Sequence, residues 1–191
     1  MTLRIVEKCR TRESIAYHEA GHAVVGVLLG MPVERVTILP GRRQLHGVRR
    51  RTKGAAILKV RRTVAGCRKN AESSLAGPLV EERFLNAKSR QDVIDLDTLE
   101  ALALAPKCRR GNDAAYDWLA DRAEKARRLI DKHWSMIGSV AACLLERKTL
   151  THAELKDVMR SAGWKEPLSD VERECRRVRR IVRKRWAKMR K

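Results

Sequence analysis

Aromatic residues are scarce in this chain: they make up 4% of 191 residues, with a single Phe. Any core must therefore be built mostly from Ala, Val, Leu and Ile. Cysteine is also sparse. Cys9, Cys67, Cys108, Cys143 and Cys175 are odd in number, widely scattered and without a Cys-x-x-Cys spacing. That excludes a disulfide framework and a cysteine-built metal site, and it predicts reduced thiols in a cytoplasmic protein. Long apolar runs are missing too. The longest, Ala23 to Met31, is far too short to span a bilayer, and no signal peptide opens the chain. A length of 191 residues suits one soluble domain, with or without a tail.

What is present is the run Tyr17-His18-Glu19-Ala20-Gly21-His22. Two histidines four residues apart project from one face of a helix and can offer two imidazole nitrogens to one metal ion. Glu19, one residue round from His18, can take a proton from a metal-activated water without ligating the metal itself. The flanks supply the helix: Thr11 is an N-cap, and Ile15, Ala16, Ala20, Ala23, Val24, Val27 and Leu28 recur at helical spacing until Gly30 and Pro32. Gly21 inside that helix costs roughly 1 kcal/mol relative to Ala, which points to a close neighbour.

Further along, Val33 to Leu39 alternates and is β-branched, as a strand requires. Gly41-Arg42-Arg43 can turn the chain into a second extended piece, Gln44 to Arg51. Helical patterns follow through Ala115, Leu119, Ala123, Ala126 and Ile130, then through Trp134, Ile137, Val140 and Leu144. Thr151-His152-Ala153-Glu154 is a capping box for a short helix ended by Gly163. His46, His133 and His152 lack ligand spacing and read as surface or structural residues.

The wording of the motif is more specific than its spacing. His18 to His22 followed by Ala23-Val24-Val25-Gly26, then Pro32 to Pro40, resembles the peptidase domain of FtsH-type zinc metalloproteases. Leu75-Ala76-Gly77-Pro78-Leu79-Val80-Glu81-Glu82, Gly111-Asn112-Asp113, and Leu144 to Thr151 with Glu154-Leu155 extend the resemblance over residues 11 to 162. It implies a mainly α zinc metallopeptidase domain with a small β-hairpin or edge strand beside the active-site helix, where substrate adds as a strand. It also implies Zn2+ held by His18, His22 and Asp113, with Glu19 as general base. Glu81 and Glu82 are the rival carboxylates for the third ligand.

The chain departs from that family in three ways. Only about ten residues precede the catalytic helix here, so the family's membrane anchor and AAA ATPase module are not expected ahead of it. Pro78 stands where the family continues a helix, so a restart is expected there. Residues 87 to 109 read as an insertion carrying an extra helix.

The formal net charge is +20. From Ser169 to Lys191 there are eleven Lys and Arg against three Asp and Glu, and Ser169-Asp170-Val171-Glu172 is a second capping box. The expected organisation is a metallopeptidase domain over 1–168 and a basic amphipathic helix over 169–191. The tail can dock on the domain or bind nucleic acid, an acidic protein or an anionic surface. Basic stretches from Arg42 to Lys53 and Arg61 to Lys69 flank the supposed cleft and can steer acidic substrates. The leading functional expectation is a zinc endopeptidase acting on unfolded or flexible polypeptides, ATP-independent by itself, as a homo-oligomer or with a separate unfoldase. The alternative is a basic nucleic-acid-binding or regulatory protein on a peptidase-like scaffold with a non-catalytic metal site.

Overall fold

Helix α1 (Arg12–Leu28) begins where the Thr11 hydroxyl accepts the Ser14 amide at 3.1 Å, satisfying one of the orphan donors of the first turn. It ends at Gly30, whose φ of +69° lets the Met31 amide fold back onto the Gly26 carbonyl at 2.9 Å. Almost every residue between Ser14 and Val27 is buried, so α1 is a central helix with no solvated face. A computed structural model describes residues 11–45, 48–59, 63–86, 95–105 and 112–167, together with Arg177, Arg179 and Arg180.

After α1 come β1 (Val33–Thr37), β2 (Gly41–Leu45), β3 (Val48–Thr52) and β4 (Ala55–Leu58). Helices α2 (Val64–Phe84), α3 (Leu96–Leu104), α4 (Asn112–Lys132) and α5 (Trp134–Arg147) follow, then β5 (Thr149–Thr151) and α6 (His152–Ser161). The fold is mainly α, as expected, with one small antiparallel sheet in the order β4-β1-β5 and a separate β2-β3 ribbon. The expected strand over Val33 to Leu39 is therefore the middle strand of its sheet. β4 is an edge beside α1, and Gly41 to Arg43 lie within β2 rather than forming the turn. β1 pairs Arg35 with Ile57 and Thr37 with Ala55 on one side, and Val36 with Leu150 on the other. A register shift between Val33 and Arg35 breaks the simple alternation, and Val33, Val36 and Ile38 face the core.

The main core gathers Ala16, Ala20, Ala23 and Val24 of α1 with Val80, Ile137, Val140, Leu144, Leu150, Leu155 and Met159. It is aliphatic, as the scarcity of aromatics required. The single Phe, Phe84, stacks on Tyr17 with ring centroids 4.2 Å apart, and Trp134 also stacks on Tyr17 at 5.7 Å. These three rings tie α1, α2 and α5 together one residue before His18. A smaller cluster of Ala71, Leu75, Ala101, Ala105 and Trp118 packs α2, α3 and α4. Beside it Arg122 donates to Glu72 at 2.7 Å in a nearly buried ion pair.

Helix α2 runs unbroken through Pro78, so the expected restart does not occur. Packing on both faces, with Ala71, Leu75, Ala76 and Val80 all buried, offsets the one backbone bond that Pro78 cannot donate. Gly21 explains itself here: a Cβ on it would lie 2.9 Å from both the Ala76 carbonyl and Val80 Cγ2, so its absence lets α1 and α2 touch backbone to backbone. The capping box at Thr151 forms as expected, with the Glu154 carboxylate on the Thr151 amide at 2.8 Å, and Gly163 at φ +92° ends α6. The expected basic helix over 169–191 lies outside the described residues except for Arg177, Arg179 and Arg180, which are helical and exposed.

Candidate metal centre

His18 and His22 present their imidazoles from the face of α1 that meets α2 and α3. Both are buried. His18 Nδ1 donates to Glu81 Oε2 at 3.1 Å, and His22 Nδ1 donates to the Ser73 carbonyl at 2.7 Å. The Ser73 hydroxyl in turn donates to the His22 carbonyl at 3.1 Å, clamping α2 onto the motif. With both Nδ1 atoms engaged, both Nε2 atoms turn toward one point, 3.1 Å apart and with the rings at 83°. Such outer partners fix the tautomer and ring orientation of metal-ligating histidines.

The third donor at that point is Asp97. Its Oδ2 lies 3.0 Å from His18 Nε2 and 3.6 Å from His22 Nε2. Among the described residues, His18, His22 and Asp97 form a group whose ligand atoms all lie within 4.8 Å of one another. A tetrahedral zinc with bonds of about 2.0–2.1 Å separates its ligand atoms by about 3.3 Å, so these spacings suit the ion. Two imidazoles and a carboxylate would hold such an ion with three protein donors and leave a fourth position open.

Electrostatics agree with a cation site. Burial by itself lowers the pKa of His18, but hydrogen bonds to Asp97 and Glu81 and the charges of Asp97 and Glu19 outweigh it and raise the value to about 9. Burial by itself raises the pKa of Asp97, yet the charge of His22 and hydrogen bonds from both histidines hold it well below the usual carboxylate range. In the metal-free chain a proton on His18 Nε2 thus occupies ground that a metal ion would share with Asp97.

Three local features build the centre. Asp95 caps α3 by accepting the Thr98 amide at 2.7 Å, which sets Asp97 in the first helical turn, where the helix dipole favours an anion. Gly77 leaves room for His22, because a Cβ there would lie 2.3 Å from Nε2. Gly54, just before β4, does the same for the buried Glu19: its Cβ would lie 2.7 Å from Oε1 and 2.8 Å from Cγ. The general-base candidate thus sits against the edge strand.

The expected residues fall into place unevenly. His18, His22 and Glu19 are together at the α1 face. Glu81 is buried and holds His18 from behind, while Glu82 borders a separate cavity of about 480 Å³ with Leu79, Arg83, Ile130 and Asp131. Asp113 belongs to the first turn of α4, and its side chain lies outside the described residues. His46 also lies outside them, and His133 and His152 are half-buried on other elements. Sequence reasoning missed Asp97. The available signal was an Asp-x-Asp at the start of an amphipathic helix, one acid to cap it and the second free to face the histidines.

The model of peptidase family M41 matches residues 5–105. The chain belongs to that family. The matched range includes α3, within the stretch expected as an insertion, and ends before Asp113. The ATP-dependent zinc metalloprotease FtsH of Lactococcus lactis subsp. lactis (strain IL1403) is 51% identical over 37 residues. That stretch is 18% of this chain and 5% of that protein. Membership places the chain among the metalloproteases. No helix of the described residues is long and apolar enough to cross a membrane.

Proposed function

We propose that this M41 domain is a zinc endopeptidase in which His18, His22 and Asp97 hold the ion and Glu19 is the general base. The observation that carries the reading is the convergence of two Nε2 atoms and one carboxylate oxygen beside a buried glutamate. Zinc, when bound, supplies a Lewis acid that acidifies water to a pKa of about 7 and polarises a carbonyl. Glu19 takes the proton of the attacking water and passes it to the leaving amine. Glu81 and the Ser73 carbonyl keep the two buried imidazoles aimed.

β4 supports an extended substrate. It is an edge of the sheet, and Gly54 at its start touches Glu19. A peptide adding to it would bond through backbone groups, which tolerates many sequences but requires an unfolded or flexible segment. Nothing in this chemistry consumes a nucleotide, so the chain by itself should cleave such substrates without ATP, and folded proteins only with a separate unfoldase. We further propose a cytoplasmic setting, in keeping with the thiols of Cys67 and Cys143, and a tail over 169–191 that binds polyanions weakly through charge.

Zinc analysis of the purified chain together with a casein cleavage assay tests the reading. Glu19→Gln should keep near-stoichiometric zinc and lose proteolysis, whereas His22→Ala should lose both. A Glu19→Gln chain that cleaves as fast as wild type rules out the general-base role.

A further inference from the structure

The excess charge of this protein is not spread over its surface. Between Glu34 and Glu72 there are twelve Lys and Arg and no Asp or Glu. The tail from Ser169 carries a net +8, and everything else is balanced, so these two stretches account for the whole of +20. Charge serving solubility alone would be interspersed with the opposite sign. The first stretch also contains the whole substrate side of the proposed site: most of β1, the β2-β3 ribbon and β4.

Within it the ribbon has an unusual ladder. The register sets Arg42 opposite Arg51, Arg43 opposite Arg50, and Gln44 opposite Arg49. Like charges directly opposite destabilise an antiparallel pair, and an anion between them reverses the sign. Arg42 and Arg51 are exposed at the base of the ribbon, and Arg35 is exposed on β1 next to β4. Arg51 is three residues before Gly54, a span of at most about 10 Å at roughly 3.3 Å per extended residue, and Gly54 packs against the Glu19 carboxylate at the start of β4. That separation matches the Debye length of about 10 Å at 0.1 M salt, so the ribbon's field reaches a chain lying on β4.

We propose that the arginine ribbon selects substrates, by binding Asp- and Glu-rich segments of extended polypeptides next to the stretch that lies on β4. The proposal rests on the peptidase reading for its location. A nucleic acid would satisfy the same charges, but the ribbon joins the two strands that border the catalytic glutamate, and a bound oligonucleotide would cover the edge that the peptide needs. Acidic polypeptide is the occupant that uses both surfaces at once.

The test uses two fluorescent peptides with one apolar centre, flanked by Asp and Glu in the first and by Asn and Gln in the second. Anisotropy is measured on the full zinc-loaded chain carrying Glu19→Gln, and cleavage on the chain with Glu19 intact. The acidic peptide should bind about tenfold tighter than the neutral one, with the gap closing as salt rises. Adding Arg42→Gln with Arg51→Gln should remove most of the gap and leave zinc content and the neutral peptide unchanged. Arg42→Lys with Arg51→Lys should keep most of it, which separates charge from loss of fold. Equal affinities for both peptides overturn the proposal, and so does a gap that survives Arg42→Gln with Arg51→Gln. An oligonucleotide that depends on these arginines while the acidic peptide does not reassigns the ribbon to nucleic acid. If neither peptide is cleaved by wild type yet the arginine-dependent gap persists, the peptidase reading fails and the acidic-peptide surface stands. Cleavage of both peptides at equal efficiency gives the reverse.

Discussion

The His22 imidazole lies over the bare backbone of Gly77, with Nε2 where a side chain on that glycine would have to be: a Cβ would sit 2.3 Å from it and 2.6 Å from Cε1. The motif helix is thus shaped by a helix that the motif does not contain. The identity of a residue on α2 decides where a nitrogen of α1 can point.

Gly77→Ala should therefore lower zinc affinity, although helix propensity favours Ala over Gly by about 1 kcal/mol. The displaced ring loses its alignment with the Ser73 carbonyl, and an outer partner of this kind is worth about 10–100-fold in metal affinity. A zinc titration with a competing chelator measures it. Affinity equal to wild type with a raised Tm would mean that His22 is not a ligand in this orientation.

The third carboxylate gives the second prediction. Asp97→Ala should remove tight zinc binding and proteolysis, because only Asp97 among the described carboxylates reaches both Nε2 atoms. Asp113→Ala should leave zinc content near one per chain. The opposite pair of results returns the role to Asp113, the residue to which the Gly111-Asn112-Asp113 wording pointed.

That contrast shows what the sequence makes legible. The two histidines and Glu19 are local: four residues on one helix turn fix their common face, and Thr11 and Gly30 fix the helix. The capping box at Thr151 and the end at Gly163 are legible for the same reason. Asp97 is not, because a carboxylate 75 residues beyond His22 reaches it only through the packing of α3 on α2. Strand partners are non-local as well. Val33 to Thr37 reads as a strand from its own residues, but its place between β4 and β5 depends on Ala55 to Leu58 and on Thr149 to Thr151. Pro78 reads as a break because propensity is local, and buried neighbours on both sides of α2 override it.

Glu81 gives the third prediction. Buried and 3.1 Å from His18 Nδ1, it should act on the metal through the imidazole. Glu81→Gln keeps shape and a carbonyl acceptor, and should weaken zinc about tenfold. Glu81→Ala should weaken it by up to about 100-fold and lower the Tm as well, since it leaves a buried donor without its partner. Equal zinc affinity in both variants and wild type would make Glu81 a packing residue only.

The last prediction is a pair of opposite pH trends. Folding raises the pKa of His18 to about 9 from an unfolded value near 6.5, so protonated His18 stabilises the metal-free fold. That contribution is complete below about pH 6.5 and is lost as pH rises through about 9. Zinc needs the same nitrogen without its proton, so binding should release about one proton from His18 over this window, and affinity should rise about tenfold per pH unit. Metal-free chain should therefore become less stable between pH 6.5 and 9 while zinc-loaded chain does not, and the Tm increment from zinc should widen with pH. Thermal melts with and without zinc at matched ionic strength, and calorimetric proton counting in two buffers of different ionisation enthalpy, measure both arms. An increment that stays flat from pH 6.5 to 9, with no proton released, would mean that zinc does not displace the His18 proton and that the ion binds elsewhere.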